Sequence, residues 1–226
     1  MLKQGVLVGL TIVLITLGLS GCTQQDSSDQ THIQTTSPTT ESLETILAKT
    51  DAIKSMSFEI LATIDMSEFD TQTATIKIWQ KPSYLKEQVT TMRTGTPITI
   101  TVIHRPDGNY TYDVAQAKYV LTPNVTSFAT SLQYFDSKMI KDLLNNQTVL
   151  DFETETIDGK QATIIQYSLP LQGDNLMSIK MWIWNERGVP LKAYIDMTTE
   201  EISMTMDFVF SNYSFSDIPD SMFSVS

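Results

Sequence analysis

Most of this 226-residue chain alternates between apolar and polar side chains. Phe58, Ile60, Ala62 and Ile64 point one way with Glu59 and Thr63 opposite, and Ala74, Ile76 and Ile78 alternate with Thr75, Lys77 and Trp79. The pattern returns at Ile98, Ile100 and Val102, at Met177, Ile179, Met181 and Ile183, and at Leu191, Ala193, Ile195 and Met197. It closes with Ile202, Met204, Met206, Phe208 and Phe210. A period of two with one polar face marks antiparallel strands that bury a single side. Turn signals at Pro82, Pro97, Pro106-Asp107-Gly108, Asp158-Gly159, Gly173-Asp174 and Arg187-Gly188 divide the chain into about eleven strands.

Two segments break the alternation. From Glu41 to Lys54 the spacing of Leu43, Ile46, Leu47 and Ile53 predicts a helix, with Glu41 and Glu44 in its first turn and Lys49 and Lys54 toward its end. Between Ser127 and Asn145, Phe128, Leu132, Phe135, Met139, Leu143 and Leu144 recur at three- and four-residue steps and form one apolar stripe. Six strands precede this second helix and five follow it. The reading is therefore a mainly β (α+β) fold: one long antiparallel meander, curled by its twist, with an apolar concavity that one or two helices can cover.

Leu19-Ser20-Gly21-Cys22 ends an uncharged run from Gly5 to Leu19 that follows Lys3, and Cys22 is the single cysteine. A basic start, a short apolar stretch and small residues at its end describe a secretory signal over residues 1–21. The run is short for a permanent span, which needs about 20 apolar residues. Its ending resembles the lipobox of exported lipoproteins, which implies a diacylglyceryl group on the Cys22 sulfur and cleavage just before it. Residues 22–40 then read as a flexible tether, since Thr23 to Thr40 is mostly Thr, Gln, Ser and Asp with one aliphatic residue, Ile33. Eighteen such residues span roughly 20–25 Å. Residues 41–226 remain as one domain, anchored on the extracytoplasmic face of a membrane.

Without residues 1–21 the basic count falls from 15 to 14 against 26 acidic residues, so the net charge moves from −11 to −12. Such a surface repels phosphate backbones and is unsuited to nucleic acid or to electrostatic adhesion on anionic lipid heads. Attachment to the membrane thus falls to the acyl chains on Cys22. No disulfide within the chain is possible, and the core alone must hold the domain.

The chain has no Gly-x-Ser-x-Gly elbow, His-Glu-x-x-His, phosphate-binding glycine loop or Cys-x-x-Cys. Of the two histidines, His32 lies in the tether and His104 at a strand end beside Arg105-Pro106, where a surface position is the expectation. Asp151, Glu153 and Glu155 share one face of a strand, and Glu200-Glu201 marks a turn; an outward acidic face is the ordinary reading and a divalent-ion site the other. No catalytic residue, metal site or cofactor is assigned. Asn109, Asn124, Asn146 and Asn212 begin glycosylation triplets of a kind that arises by chance in a chain rich in Asn and Thr.

Five methionines, Met177, Met181, Met197, Met204 and Met206, fall on the apolar faces of three successive late strands. Flexible, polarizable thioethers suit a surface that accepts varied apolar shapes, and they equally fill core gaps. Trp79, Trp182 and Trp184 lie on the opposite faces, as a mouth, an interface patch or a cover for the outer side.

Three stretches carry a family resemblance. They are Asp107-Gly108-Asn109-Tyr110-Thr111-Tyr112-Asp113 with Lys118-Tyr119-Val120, then Lys180 to Trp184 with Gly188-Val189-Pro190, and lastly Phe215 to Phe223, which contains Ile218-Pro219-Asp220 and closes on Phe223. Together they resemble the superfamily of LolA- and LolB-type lipoprotein carriers, with the mycobacterial lipid-binding lipoproteins and RseB-like regulator sensors. The resemblance covers residues 41–226. It implies an eleven-stranded half-barrel lidded by helices around a cavity for acyl chains. The expected wall residues are Ile60, Ile179, Met181, Ile195, Met204, Met206 and Phe208, and the expected lid residues are Phe128, Leu132, Phe135 and Met139. The expected function is non-enzymatic binding of a lipid or an acylated protein by a membrane-anchored lipoprotein. The alternative is a protein-binding envelope sensor or scaffold with a filled core and a membrane-protein partner.

Overall fold

The computed structural model describes residues 41–67, 69–123, 125, 137–145, 151–170, 176–199 and 203–225. All of them fall in one compact unit, Glu41–Ser226. The signal, Cys22 and the tether lie outside the described residues, as do Phe128, Leu132 and Phe135 of the expected lid.

Eleven strands form one antiparallel sheet that does not close on itself: β1 Met56–Met66, β2 Phe69–Lys81, β3 Tyr84–Arg93, β4 Thr96–Arg105, β5 Gly108–Asp113, β6 Lys118–Leu121, β7 Asp151–Ile157, β8 Lys160–Pro170, β9 Leu176–Trp184, β10 Pro190–Thr198 and β11 Ser203–Ser214. Helix α1 (Leu43–Ala48) precedes β1, and α2 (Ser137–Asn145) lies between β6 and β7. This is a mainly β half-barrel, with six strands before the second helix and five after it. The expected single meander is corrected, however. The spatial order is β6-β5-β4-β3-β2-β1-β11-β10-β9-β8-β7, so two meanders meet where the first strand pairs with the last. Alternation tells which face a side chain takes; it does not say which strand lies alongside, and β1 with β11 is a long-range choice.

The register places the apolar sets on one face. Ile60 stands opposite Ile76 on one side and Phe210 on the other, and Ala62 stands opposite Ala74 and Phe208. Ile195 continues the row between Met206 and Ile179. Leu43, Ile46 and Leu47 of α1 and Ile140 of α2 join these side chains in one buried cluster, so the helices cover this inner face.

Helix α1 is shorter than its pattern predicts. Ser42 caps it by accepting from the Thr45 N–H at 3.2 Å, and after Ala48 the chain tightens into a 3-10 turn, Lys49–Ala52. Lys49 turns away from the helix end. Its ammonium pairs with Glu41 at 2.7 Å and donates to the Asn185 carbonyl at 2.6 Å, tying the helix to the β9–β10 turn. At that turn Gly188 takes φ +71°, and a Cβ there would lie 2.3 Å from the Ile46 carbonyl oxygen.

The outer face has its own covers. Ile218 and Phe223 of the C-terminal segment pack on Ile103, with Trp79, Tyr84 and Tyr119 around them. Lys81 pairs with Asp220 and lies over the Tyr84 and Phe223 rings at 5.1 and 5.2 Å. Trp182 is buried with Ala162, Ile164 and Leu191, donates its indole N–H to Glu155 at 2.7 Å, and is flanked by Lys180 and Lys192. Trp184 contacts Tyr213 and Phe215. The tryptophans thus serve as cover for the outer side.

Gly188→Ala is expected to lower stability by about 2–3 kcal/mol, because it adds left-handed strain to a clash with α1. A drop of several degrees in the melting temperature of the Glu41–Ser226 unit would register it.

Candidate functional site

The inner face divides into two regions of different character. On the late strands it is filled. Ile60, Ile179, Met181, Ile195 and Phe208 are each at most 4% exposed and share the main cluster; Met206 packs against it half-buried. Met204 is buried as well and stands opposite both Met66 and Met197. Met139 of α2 packs on the same cluster, and Lys141 fastens α2 to Asp51 at 3.2 Å. These expected wall and lid residues are therefore brought together as packed side chains.

On β3, β4 and β5 burial runs against polarity. Val89 pairs with Ile76 and Ile100, so Ile100 and Ile98 share the face of the core, yet Ile98 is 39% and Ile100 52% exposed. Two residues before Val89, Glu87 is only 2% exposed, between Ile78 and Val102. Its neighbour on the diagonal is His104, opposite Leu85 and Asn109. The His104 Nδ1 lies 2.9 Å from Asn109 Oδ1, and its Nε2 lies 3.6 Å from Glu87 Oε1, an ion-pair distance too long for a hydrogen bond. Thr111, opposite Val102, completes the patch. Both His104 Nε2 and Thr111 Oγ1 are buried and make no hydrogen bond.

The Glu87 carboxylate is the main cause that raises the His104 pKa above its ordinary value; Asn109 adds to the effect, and burial opposes it. His104 reaches solvent through a depression of about 510 Å³ lined also by Gln80, Lys81, Ser83, Tyr84, Leu85, Arg105 and Pro106. The expected surface position of His104 is thus corrected: it is a partly buried inner-face residue. The step from Val102 to His104 keeps the parity of the apolar set, and Glu87 sits between Leu85 and Val89 in the same way. Parity could have shown both. Asn109, one of the glycosylation triplets, has its amide engaged in this patch.

A second depression of about 620 Å³ lies where the α1 end meets the β9–β10 turn, beside Lys49, Arg187 and Phe215. Glu153 is exposed and Glu155 is committed to Trp182. Among the described residues no group of three or more His, Cys, Asp or Glu side chains is placed to hold a metal ion. Among them, too, no helix is long and apolar enough to cross a membrane. The inner face can offer an apolar track that ends at a buried, hydrogen-bonding patch.

The chain is similar in fold to several solved structures. One is a LolA superfamily protein from Nitrosomonas europaea, at 11% identity and TM-score 0.40, covering 80% of this chain and 97% of that one. LprF from Mycobacterium bovis is 14% identical at TM-score 0.44, with 78% and 94% covered. A chain of the Pseudomonas aeruginosa MucA/MucB complex is 13% identical at TM-score 0.46, with 81% of this chain and 61% of that one covered. No family model matches the chain, and no curated protein does. These likenesses are distant.

His104 is expected to titrate above about 6.5, and Glu87→Gln to bring its pKa down, both read from imidazole chemical shifts. The stabilisation from this contact is complete below pH about 6.5 and fades as pH rises through the elevated value, so native protein and Glu87→Gln should differ most in acid.

Proposed function

We propose that this protein is a lipid-anchored, extracytoplasmic, non-enzymatic lipoprotein that takes acyl chains onto the inner face of its half-barrel. The observation that carries the reading is the exposure of Ile98 and Ile100 on the face that elsewhere forms the core. Large apolar side chains left bare on a concave face mark a binding surface more often than a scatter of single exposed residues does. An acyl chain laid along Val89, Ile98 and Ile100 leaves water for apolar surface, and the driving force is that burial. Ile60, Ile179, Met181, Ile195, Met204, Met206 and Phe208 form the deep end, where methionine side chains can reshape around a longer chain. Met139 and the rest of the expected lid, Phe128, Leu132 and Phe135, would cover it. Cys22 would hold the domain at the membrane surface from which such ligands come.

Two measurements test this. The Glu41–Ser226 unit should take up a fluorescent fatty-acyl probe, and Ile100→Asp should weaken uptake by about tenfold or more while leaving the melting temperature nearly unchanged, because the site is exposed. Uptake that is absent, or unaffected by Ile100→Asp, sinks the acyl-binding reading. Separately, palmitate fed to cells should label the chain, and Cys22→Ala should abolish both the label and membrane retention.

A further inference from the structure

Of the ten large apolar side chains exposed among the described residues, six lie between Met92 and Leu121, at the early edge of the sheet. We infer that the outer side of this edge, built by Met92, Tyr112, Val114 and Leu121, rests on a lipid bilayer at headgroup depth. These four residues have no part in the acyl binding proposed above, and the contact goes beyond it.

Register places them together. Tyr110 stands opposite Ile103, which Ile218 and Phe223 cover from outside, so Tyr110 and Tyr112 face outward. Leu121 and Tyr119 stand opposite these two on β6, the terminal strand of the sheet. The Tyr112 ring meets Tyr119 edge to face with 5.2 Å between centroids, and Val114 follows in the β5–β6 turn. Met92 alternates with the inward Thr91 and so faces outward, near the β3–β4 turn. In an antiparallel run of β3 to β6 those two turns lie at the same end. Val114 is 77% exposed, Leu121 58% and Met92 57%.

Charge sets this corner apart. The chain holds 26 acidic and 15 basic residues, yet from Gln88 to Pro123 only Asp107 and Asp113 stand against Arg93, Arg105 and Lys118. Both acids are engaged. Asp107 accepts from Arg105 at 2.9 Å and from the Tyr110 hydroxyl at 3.1 Å, and Asp113 accepts from the Ala115 and Gln116 N–H groups at 2.8 and 3.1 Å. Arg93 and Lys118 are exposed, placed to meet lipid phosphates while apolar side chains sink below them. Tyrosine, with an apolar body and a polar tip, suits the same depth. A net charge of −11 gives anionic lipid no hold on the whole domain, so the driving force is apolar burial against neutral, zwitterionic heads.

The choice of a bilayer over a protein follows from the edge being bare on both sides. Ile98 and Ile100 are exposed on the inner face, Met92, Val114 and Leu121 on the outer. A folded partner covers one face of such an edge, whereas a bilayer into which the edge dips covers both. The depth is limited, because hydrocarbon does not accept the unpaired backbone of a terminal strand; the contact stays within about 5–10 Å of the headgroup boundary. From there an acyl tail reaches Ile98 and Ile100 around the edge of the open sheet.

The test uses the Glu41–Ser226 unit, which holds every described residue and, with Cys22 outside it, no cysteine. Its partition onto phosphatidylcholine vesicles should fall about tenfold or more on Leu121→Asp or Val114→Asp. Leu61→Asp, at an outer-face site 50% exposed but away from the edge, should leave partition within about twofold. All three should melt close to the native temperature, since the sites are exposed. An environment-sensitive fluorophore on Val114→Cys should shift to the blue with vesicles; on Glu186→Cys, in the β9–β10 turn at the other end of the strands, it should not. Absence of vesicle binding, an equal loss on Leu61→Asp, or a blue shift at both labels overturns the bilayer contact. Uptake of an acyl probe without vesicles reads the other proposal separately. Val114→Asp is expected to leave that uptake unchanged, and its absence in the native unit sinks acyl binding while bilayer contact stands.

Discussion

The pairing of β1 with β11 is the contact on which the rest of the structure depends. Without it the chain is two separate sheets, each with a bare central edge and half a core. The pairing joins residues about 150 positions apart, and its entropy of closure must be met before most of the core exists. What compensates is lateral continuity. Ile60, Ala62 and Ile64 meet Phe210, Phe208 and Met206 in register, and these rows run on into β2 and β10 with no change of face. Helix α1 then lies over the finished surface and is pinned by Lys49 and the close approach at Gly188. A topology so rich in distant contacts should fold slowly for its size.

Dependence on one long-range pairing decides which parts of the fold the sequence could disclose. Strand number and the apolar face follow from local alternation and agree with the structure, and of the helix expected from its three- and four-residue steps over Ser127–Asn145 the described part, Ser137–Asn145, is helical. The strand order does not follow, because every strand in the set carries nearly the same pattern and any two could pair. The length of α1 was hidden for a related reason. Lys49 looks like a favourable helix-end cation in sequence, but its partners are Glu41 and a carbonyl 136 residues away. His104 departs from its expected surface position for a different reason: its charge suggests the surface, whereas its parity places it on the inner face, as it does the unassigned Glu87. A polar residue in an apolar register is the informative exception, and both keep the inner-face period without a break.

Methionine illustrates the limit of composition. Met181 and Met204 are buried and Met206 half-buried, consistent equally with core filling and with a surface that reshapes around a guest. The early strands speak more clearly. There the exposed residues are stiff isoleucines, a choice that adds little to the stability of an empty domain.

Other apolar side chains are also exposed, and comparing them isolates what is peculiar to β4. Leu61 and Val209 face each other on the outer side, 50% and 45% exposed, with Thr75 and Lys192 next in their row. That pair has polar neighbours in the ordinary solvent-facing manner, and no buried polar group stands beside it. Two parts of the outer face are covered, by Ile218 and Phe223 over Ile103 and by lysines stacked on Trp182. A chain of net charge −11 that can cover one face in this way does not lack the means to cover Ile98 and Ile100. Their exposure on the face that elsewhere forms the core is what the proposed acyl-binding role uses. An acyl tail, as proposed above for this face, supplies the apolar surface that the isoleucines lack.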